Sequence, residues 1–336
     1  MATHDFRYIF ILCSERSGSN LLNYSLGIHA DICAPSPVDL IRYLWQNRKQ
    51  YGDLSLDVNW NLLLKHSLGL FETKLGEWAS EFSFDQLRSQ IQERSMSAVI
   101  KYIYTQEAQM VQKQMISIKE VHVYNFLDLL ESNFNNPQFI YMVRDPRDMA
   151  LSWKSSAGIR GCVIRAAQKW QNDQQHYLRL LEKKRNKGNI IFMTYESFIQ
   201  EKDEKLAQIA SFLGLSDNFS SSSMTSKNIY ARLFPKEWEN LNRPVIKDNF
   251  NKYKKGLSKD EIKYIEAVCH HEMQTLRYTL DFPLEEPVDV LESRILHLEL
   301  NEKPAYQEVD EKIKQKLAAR RAILKEISES TNPPFS

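Results

Sequence analysis

The stretch that most constrains this 336-residue chain is Tyr8–Leu22, YIFILCSERSGSNLL. A continuous apolar run breaks there into a small, polar, glycine-containing loop, and the loop runs into helix-like spacing. Tyr8–Cys13 is short and rich in β-branched and aromatic residues. It predicts a strand covered on both faces, as in a parallel sheet. Leu21, Leu22, Ser25, Leu26 and Ile28 recur at helical spacing, so Ser19–His29 is expected as a helix laid on that sheet. Between the two, Gly18 lets the backbone turn tightly and come close to a ligand. Ser17, Ser19 and Asn20 leave room and add donors. Successive N–H groups at the start of the helix face one point, where a phosphate or sulfate would sit. Arg16 adds a fixed charge with several donors. The plain alternative is a junction that caps a helix and binds nothing.

The loop is not a kinase-type P-loop. In GxxxxGK[ST] the second glycine would be Gly18, but the first would fall at Cys13 and the lysine at Ser19. A dinucleotide GxGxxG is absent as well. A second element argues for a ligand. Phe139–Val143 (FIYMV) is another buried-strand run, and it leads into Arg144-Asp145-Pro146-Arg147-Asp148. Pro146 fixes the turn and Asp148 is placed to cap the next helix. Ser152 follows Arg144 by about two helical turns. Arg and Ser on converging elements make a second anion site, and two such sites suit a nucleotide with phosphates at both ends.

Arg16–Leu22 (RSGSNLL) and Val143–Trp153 (VRDPRDMALSW) resemble the two donor-binding motifs of the P-loop sulfotransferases that use PAPS, 3′-phosphoadenosine 5′-phosphosulfate. The resemblance implies that Arg16, Ser17, Gly18, Ser19 and Asn20 bind the 5′-phosphosulfate. It implies that Arg144 and Ser152 bind the 3′-phosphate. Asn20 stands where a threonine is commoner. Tyr195-Glu196-Ser197-Phe198 is similar to a family segment whose tyrosine lies against the adenine, and Ile209–Leu215 to the helix that follows it. Asn251–Gly256, with Lys254, Lys255 and Gly256, resembles a late basic segment that closes over the 3′-phosphate. The likeness spans about residues 7–280, is thin over 36–115 and is absent from the tail. It implies a sulfuryl transfer from PAPS to a hydroxyl or amine, with PAP as product. No metal is expected, because backbone donors and Lys/Arg can stabilise the bridging oxygen and no EF-hand, HExxH or clustered-carboxylate pattern is present.

Transfer needs a general base near the acceptor. Lys119-Glu120-Val121-His122 follows a short strand-like run, Met115–Ile118. Cytosolic members of the family carry Lys-x-His at this place, with the histidine as base, which points to His122. Heparan-type members use the glutamate of a similar string, which points to Glu120. In an extended segment Glu120 and His122 face the same way. Lys119 would reach the leaving phosphate if the strand has ended there. Asp39 is a third candidate, since other members place an acid shortly after the first helix.

The expected fold class is α/β: a doubly wound, mainly parallel sheet of P-loop nucleotide-binding type with flanking helices. A sulfotransferase domain is expected over 1–282, and a C-terminal extension over 283–336. Residues 36–115 read as a mostly helical insertion on the acceptor side. Their aromatics (Tyr43, Trp45, Trp60, Phe71, Trp78 and Phe82) either shape a pocket or serve as core. Within the extension, Ile313, Leu317, Leu324 and Ile327 mark one face of an amphipathic helix, expected to pack on the domain or to form a homodimer. Ser330–Ser336 read as frayed. Net charge is +1, so no global field draws nucleic acid or anionic lipid. Cys13, Cys33, Cys162 and Cys269 form no CxxC pair, which favours a reduced, cytoplasmic setting. No stretch approaches a membrane span. The acceptor, whether a small molecule, a glycan or a lipid, is not encoded in any motif. Two rivals remain: a nucleotide kinase-like phosphotransferase, and a non-catalytic PAP-binding protein of the same fold.

Overall fold

In the computed structural model, residues 6–156, 159, 161–216, 219, 246–300 and 311–329 are described. Ser330–Ser336 and most of 217–245 lie outside them. The strands are β1 (Arg7–Leu12), β2 (Ile32–Cys33), β3 (Met115–Lys119), β4 (Gln138–Val143) and β5 (Ile190–Thr194). They form one parallel sheet in the order β2-β3-β1-β4-β5, with β1 at its centre. This is the α/β, parallel-sheet class expected. β2 was not anticipated, because a two-residue strand carries no periodic signal.

The apolar run of β1 is continuous because both of its faces are buried. Tyr8, Phe10 and Leu12 enter one core with Ile116, Ile118, Phe139 and Tyr141. Ile9, Ile11 and Cys13 enter another with Met115, Ile140, Met142 and Met193. Helices α1 (Ser19–Gly27), α9 (Tyr195–Gln200) and α10 (Lys202–Leu213) cover the second face through Leu22, Leu26, Phe198 and Ile209. Gly214 closes α10 in the left-handed region, as a C-terminal stop does.

The first face carries the remaining helices. The insertion folds as α2 (Leu40–Gln46), α3 (Asp57–Glu72), α4 (Phe84–Gln90) and α5 (Met96–Met110), with no strand between β2 and β3. Trp60 and Phe71 are core there, while Tyr43, Trp45, Trp78 and Phe82 are half-buried against it. Next come α6 (Leu127–Asn133), α7 (Pro146–Lys154), α8 (Val163–Arg185), the single turn α11 (Tyr253–Gly256) and α12 (Lys259–Thr275).

The extension begins with an unanticipated helix, α13 (Val288–Leu300), which buries Leu291 and Ile295 in the same core. Its Glu299 accepts hydrogen bonds from the backbone N–H of Cys162 (2.8 Å) and Ile164 (2.7 Å) at the start of α8. The last helix, α14 (Glu311–Glu329), lies on α3. A Cβ on Gly69 of α3 would come within 2.7 Å of Ile323, so the two backbones approach closely. Ile327 is buried, and Lys65 pairs with Glu326 at 2.6 Å.

Candidate active site

The loops that leave β1 and β4 meet at the C-terminal edge of adjacent strands, where parallel α/β sheets bind ligands. Gly18 is the N-cap of α1 with φ +84°, and no side chain caps that helix. Its opening N–H groups and the positive end of its dipole therefore remain available to an anion. Arg16 is also left-handed, with φ +65°. The two loops touch directly: Arg16 Nε donates to Ser152 Oγ at 3.0 Å, and Arg144 Nη1 donates to the Arg16 carbonyl at 3.0 Å. Trp170 Nε1 holds the Arg144 carbonyl at 2.9 Å. The Arg144 guanidinium stacks over the Tyr195 ring, 4.5 Å from its centroid. Asn249 donates to the Tyr195 hydroxyl at 2.7 Å, and the ring lies tight against Gly18.

Three polar atoms in this cradle are buried with no protein partner: Ser17 Oγ, Asn20 Oδ1 and Arg144 Nε. A buried polar atom without a partner costs about 1–3 kcal/mol. Three of them converging on an uncapped helix N-terminus fit an anionic ligand such as the donor nucleotide.

The helix cap after β4 differs from expectation. Asp145, not Asp148, caps α7 by accepting from the Arg147 N–H at 2.9 Å. Asp148 instead accepts from the N–H groups of Asn251 (2.6 Å) and Tyr253 (2.9 Å). That carboxylate hangs the segment Asn251–Gly256 on α7. Gly256 lies where a Cβ would strike Leu151, next to Ser152. Lys254 and Lys255 are exposed beside it. Arg147 is buried and pairs with Asp145 (2.7 Å) and Glu266 (2.5 Å), tying this loop to α12.

The candidates for proton transfer cluster on the other side, between β3 and α2. The strand ends at Lys119, and His122 has φ +59°, so the alternation expected for Glu120 and His122 does not hold. The two Glu120 oxygens accept from the N–H groups of Ile41 (2.9 Å) and Arg42 (2.7 Å), clamping the start of α2. Burial, and then the nearby Asp39 charge, push its carboxyl up to about 8, against the pull of those two amides. His122 Nε2 is buried without a partner. Burial, with Lys169 and Arg42 adding to it, brings the imidazole down to about 4, so the ring is neutral at physiological pH.

Asp39 is the N-cap residue of α2, left-handed at φ +58°, but its side chain makes no cap. Its carboxylate faces Arg42 at 3.4 Å and Arg320 of α14 at 3.6 Å. Burial would raise it, but Arg42, Lys119, Arg320 and His122 together hold it below the usual carboxylate range. Arg42 and Arg320 escaped the sequence reading. No local motif flags either, and Arg320 lies far along the chain from Asp39. Lys169 and Asp173 of α8 pair with each other, Tyr124 donates to Asp173 at 2.8 Å, and the Tyr124 ring stacks on His176. Among the described residues, no group of three or more His, Cys, Asp or Glu could hold a metal ion. No helix there is long and apolar enough to cross a membrane, and all four cysteines are buried thiols outside any disulfide.

Comparison with solved structures finds the sulfotransferase domain of the Synechococcus PCC 7002 olefin synthase, at 17% identity and a TM-score of 0.55, over 84% of this chain and 98% of that one. The sulfotransferase domain of the curacin biosynthetic pathway matches at 17% identity and a TM-score of 0.47, over 86% and 97%. Mouse sulfotransferase SULT7A1, complexed with PAP, matches at 12% and 0.45, over 88% and 90%. At these identities the likeness concerns the fold, and only the first is close enough to bear on it. No curated protein matches the chain. The family model described as the sulfotransferase family matches residues 8–219, from the first strand past the loops that leave β1 and β4. The chain belongs to the sulfotransferase family.

Proposed function

We propose that this protein transfers a sulfuryl group from PAPS to a hydroxyl or amine of a small-molecule, glycan or lipid acceptor, without a metal. The observation that carries the reading is the join of the two loops. Arg16 bonds Ser152 across them, and Ser17 Oγ, Asn20 Oδ1 and Arg144 Nε are left buried and unpartnered around it. In this reading Ser17–Asn20 and the α1 N-terminus hold the 5′-phosphosulfate end. Arg144, Ser152 and the Lys254–Gly256 turn hold the 3′-phosphate, and Tyr195 lies against the adenine.

The donor supplies an activated sulfuryl group. The acceptor oxygen or nitrogen bonds to sulfur as the bond from sulfur to the 5′-phosphate oxygen breaks. The acceptor proton then goes to the base. We assign that base to His122, whose neutral imidazole has a buried, unpartnered Nε2. Glu120 already spends both oxygens on the start of α2. Lys119 and Arg16 carry the positive charge that stabilises the leaving phosphate. Four buried cysteines outside any disulfide fit a reducing, cytoplasmic setting.

The test is a labelled-PAPS assay against pooled acceptors, with mass spectrometry of the product. It is paired with calorimetry of PAP and of ATP–Mg²⁺. Labelled product and PAP binding are expected. Preferential ATP–Mg²⁺ binding would point to a phosphotransferase, and PAP binding without any labelled product to a non-catalytic binding protein.

A further inference from the structure

We propose that Arg320, on a helix outside the residues matched by the family model, is a positioning residue for the acceptor half of the site: it pins the Val38–Asp39 turn and so fixes the Asp39 carboxylate beside Lys119 and His122. The inference rests on the transfer function proposed above.

The geometry is that of one fork holding several segments. Arg320 Nη2 donates to the Val38 carbonyl at 2.5 Å and lies 3.6 Å from Asp39 Oδ2. Its Nη1 donates to the Leu70 carbonyl at 3.0 Å and to Thr73 Oγ1 at 3.4 Å. Leu70 sits in the last turn of α3, whose carbonyls lack intrahelical partners and carry the negative end of the helix dipole. One guanidinium, 12% exposed, thus ties α14 to the end of α3 and to the start of α2. A lysine would bring the charge without the fork.

Asp39 is free to take part because another residue does its expected work. The N–H groups of Ile41 and Arg42 go to Glu120, so the Asp39 carboxylate is not spent on capping α2. It faces Arg42 on α2 and Arg320 on α14 instead, with the Lys119 charge at the end of β3 and the imidazole of His122 just beyond it close enough to act on it. The acids around this cluster are Glu120, which feels the Asp39 charge, Glu15, which acts on Arg42, and Asp173, which acts on His122. Of Arg42, Lys119, His122 and Arg320, only Arg320 is brought from the C-terminal extension. Its removal would free the Val38 carbonyl and leave Asp39 to Arg42 alone on that side.

The experiment compares Arg320→Ala, Arg320→Lys and Glu326→Ala in the full chain. The last loosens the same helix without touching Asp39. The readouts are PAP affinity, labelled-sulfate turnover, and the Asp39 carboxyl titration by NMR, assigned with Asp39→Asn. For Arg320→Ala we expect wild-type PAP affinity, turnover lower by about 10–100-fold as for a misplaced reacting group, and an Asp39 titration moved upward. Arg320→Lys should restore the titration more than the turnover, and Glu326→Ala should leave both near wild type. The inference is overturned if Arg320→Ala leaves turnover and the titration unchanged, if PAP affinity falls in step with turnover, or if Glu326→Ala gives the same loss. Should the wild-type chain bind PAP yet transfer nothing, the functional reading fails, and the titration still decides whether Arg320 positions Asp39.

Discussion

Replacing Gly18 by alanine isolates what the first loop requires. The backbone there has φ +84°, and a Cβ would stand 2.4 Å from Cδ2 and 2.5 Å from Cε2 of Tyr195. The left-handed conformation costs an L-residue about 1–2 kcal/mol. Forcing a methyl into a filled space costs a further ~1–3 kcal/mol. The ring has nowhere to retreat: it is buried, stacked under Arg144 at 4.5 Å and held by Asn249 at its hydroxyl. Gly18→Ala should therefore destabilise the chain by about 2–5 kcal/mol in urea unfolding, the sum of those two costs. It should also weaken PAP binding, because Tyr195 and Arg144 shift together. In Gly18→Ala/Tyr195→Ala the overlap is gone and the backbone strain stays, so the double-mutant cycle should return a coupling of about 1–3 kcal/mol. If Gly18→Ala unfolds at the wild-type urea midpoint and binds PAP equally well, the close approach of loop and ring is not what shapes this site.

His122→Ala should lower kcat by about 10²–10⁴-fold with PAP affinity intact, and in wild type the acid limb of kcat/KM should lie near about 4, not near the ordinary 6.5. Between those two values the unfolded chain holds a proton that the folded imidazole does not, so stability should fall as pH drops through that window, and His122→Gln should flatten the fall in pH-dependent urea unfolding. Arg147→Ala leaves Asp145 and Glu266 buried without their partner and should cost about 3–5 kcal/mol by the same unfolding measurement. Asp148→Ala releases the N–H groups of Asn251 and Tyr253, so hydrogen exchange should speed up across Asn251–Gly256 and PAP affinity should drop while α7 keeps its protection.

The parallel sheet was legible because β1 and β4 are buried on both faces and read as unbroken apolar runs, and β5 keeps an apolar run although Phe192 is exposed. The two loops that meet at the candidate site were legible for a related reason. A loop between a strand and a helix keeps its chemistry in consecutive residues, so Arg16–Asn20 and Arg144–Ser152 each stand in one line of sequence. The cluster around Asp39 was not. Its parts come from β3, α2 and α14, and nothing near Arg320 in the sequence points to Asp39. Local reasoning also misplaced two carboxylates. Asp148 has the residue type and position of a cap, but Asp145 reaches the helix first. Glu120 was placed by strand alternation, but β3 stops one residue before it. Helix α13 was missed because its exposed face carries Val288, Val290 and Leu296 beside the buried Leu291 and Ile295, which blurs its periodicity.

The central place of β1 bears on how the molecule acquires its site. Its ladder partners are distant in sequence: Arg7 pairs with Met115, and Ile9 with Gln138. Such non-local pairing is slow to form, because long loops must close before any contact rewards them. The cradle spans the ends of β1 and β4, so it does not exist until that pairing does. A nucleotide gripping both loops should then act as a brace on the middle of the sheet. It would add RT ln(1 + [L]/Kd) to the stability of the global fold and slow the unzipping of its two central strands.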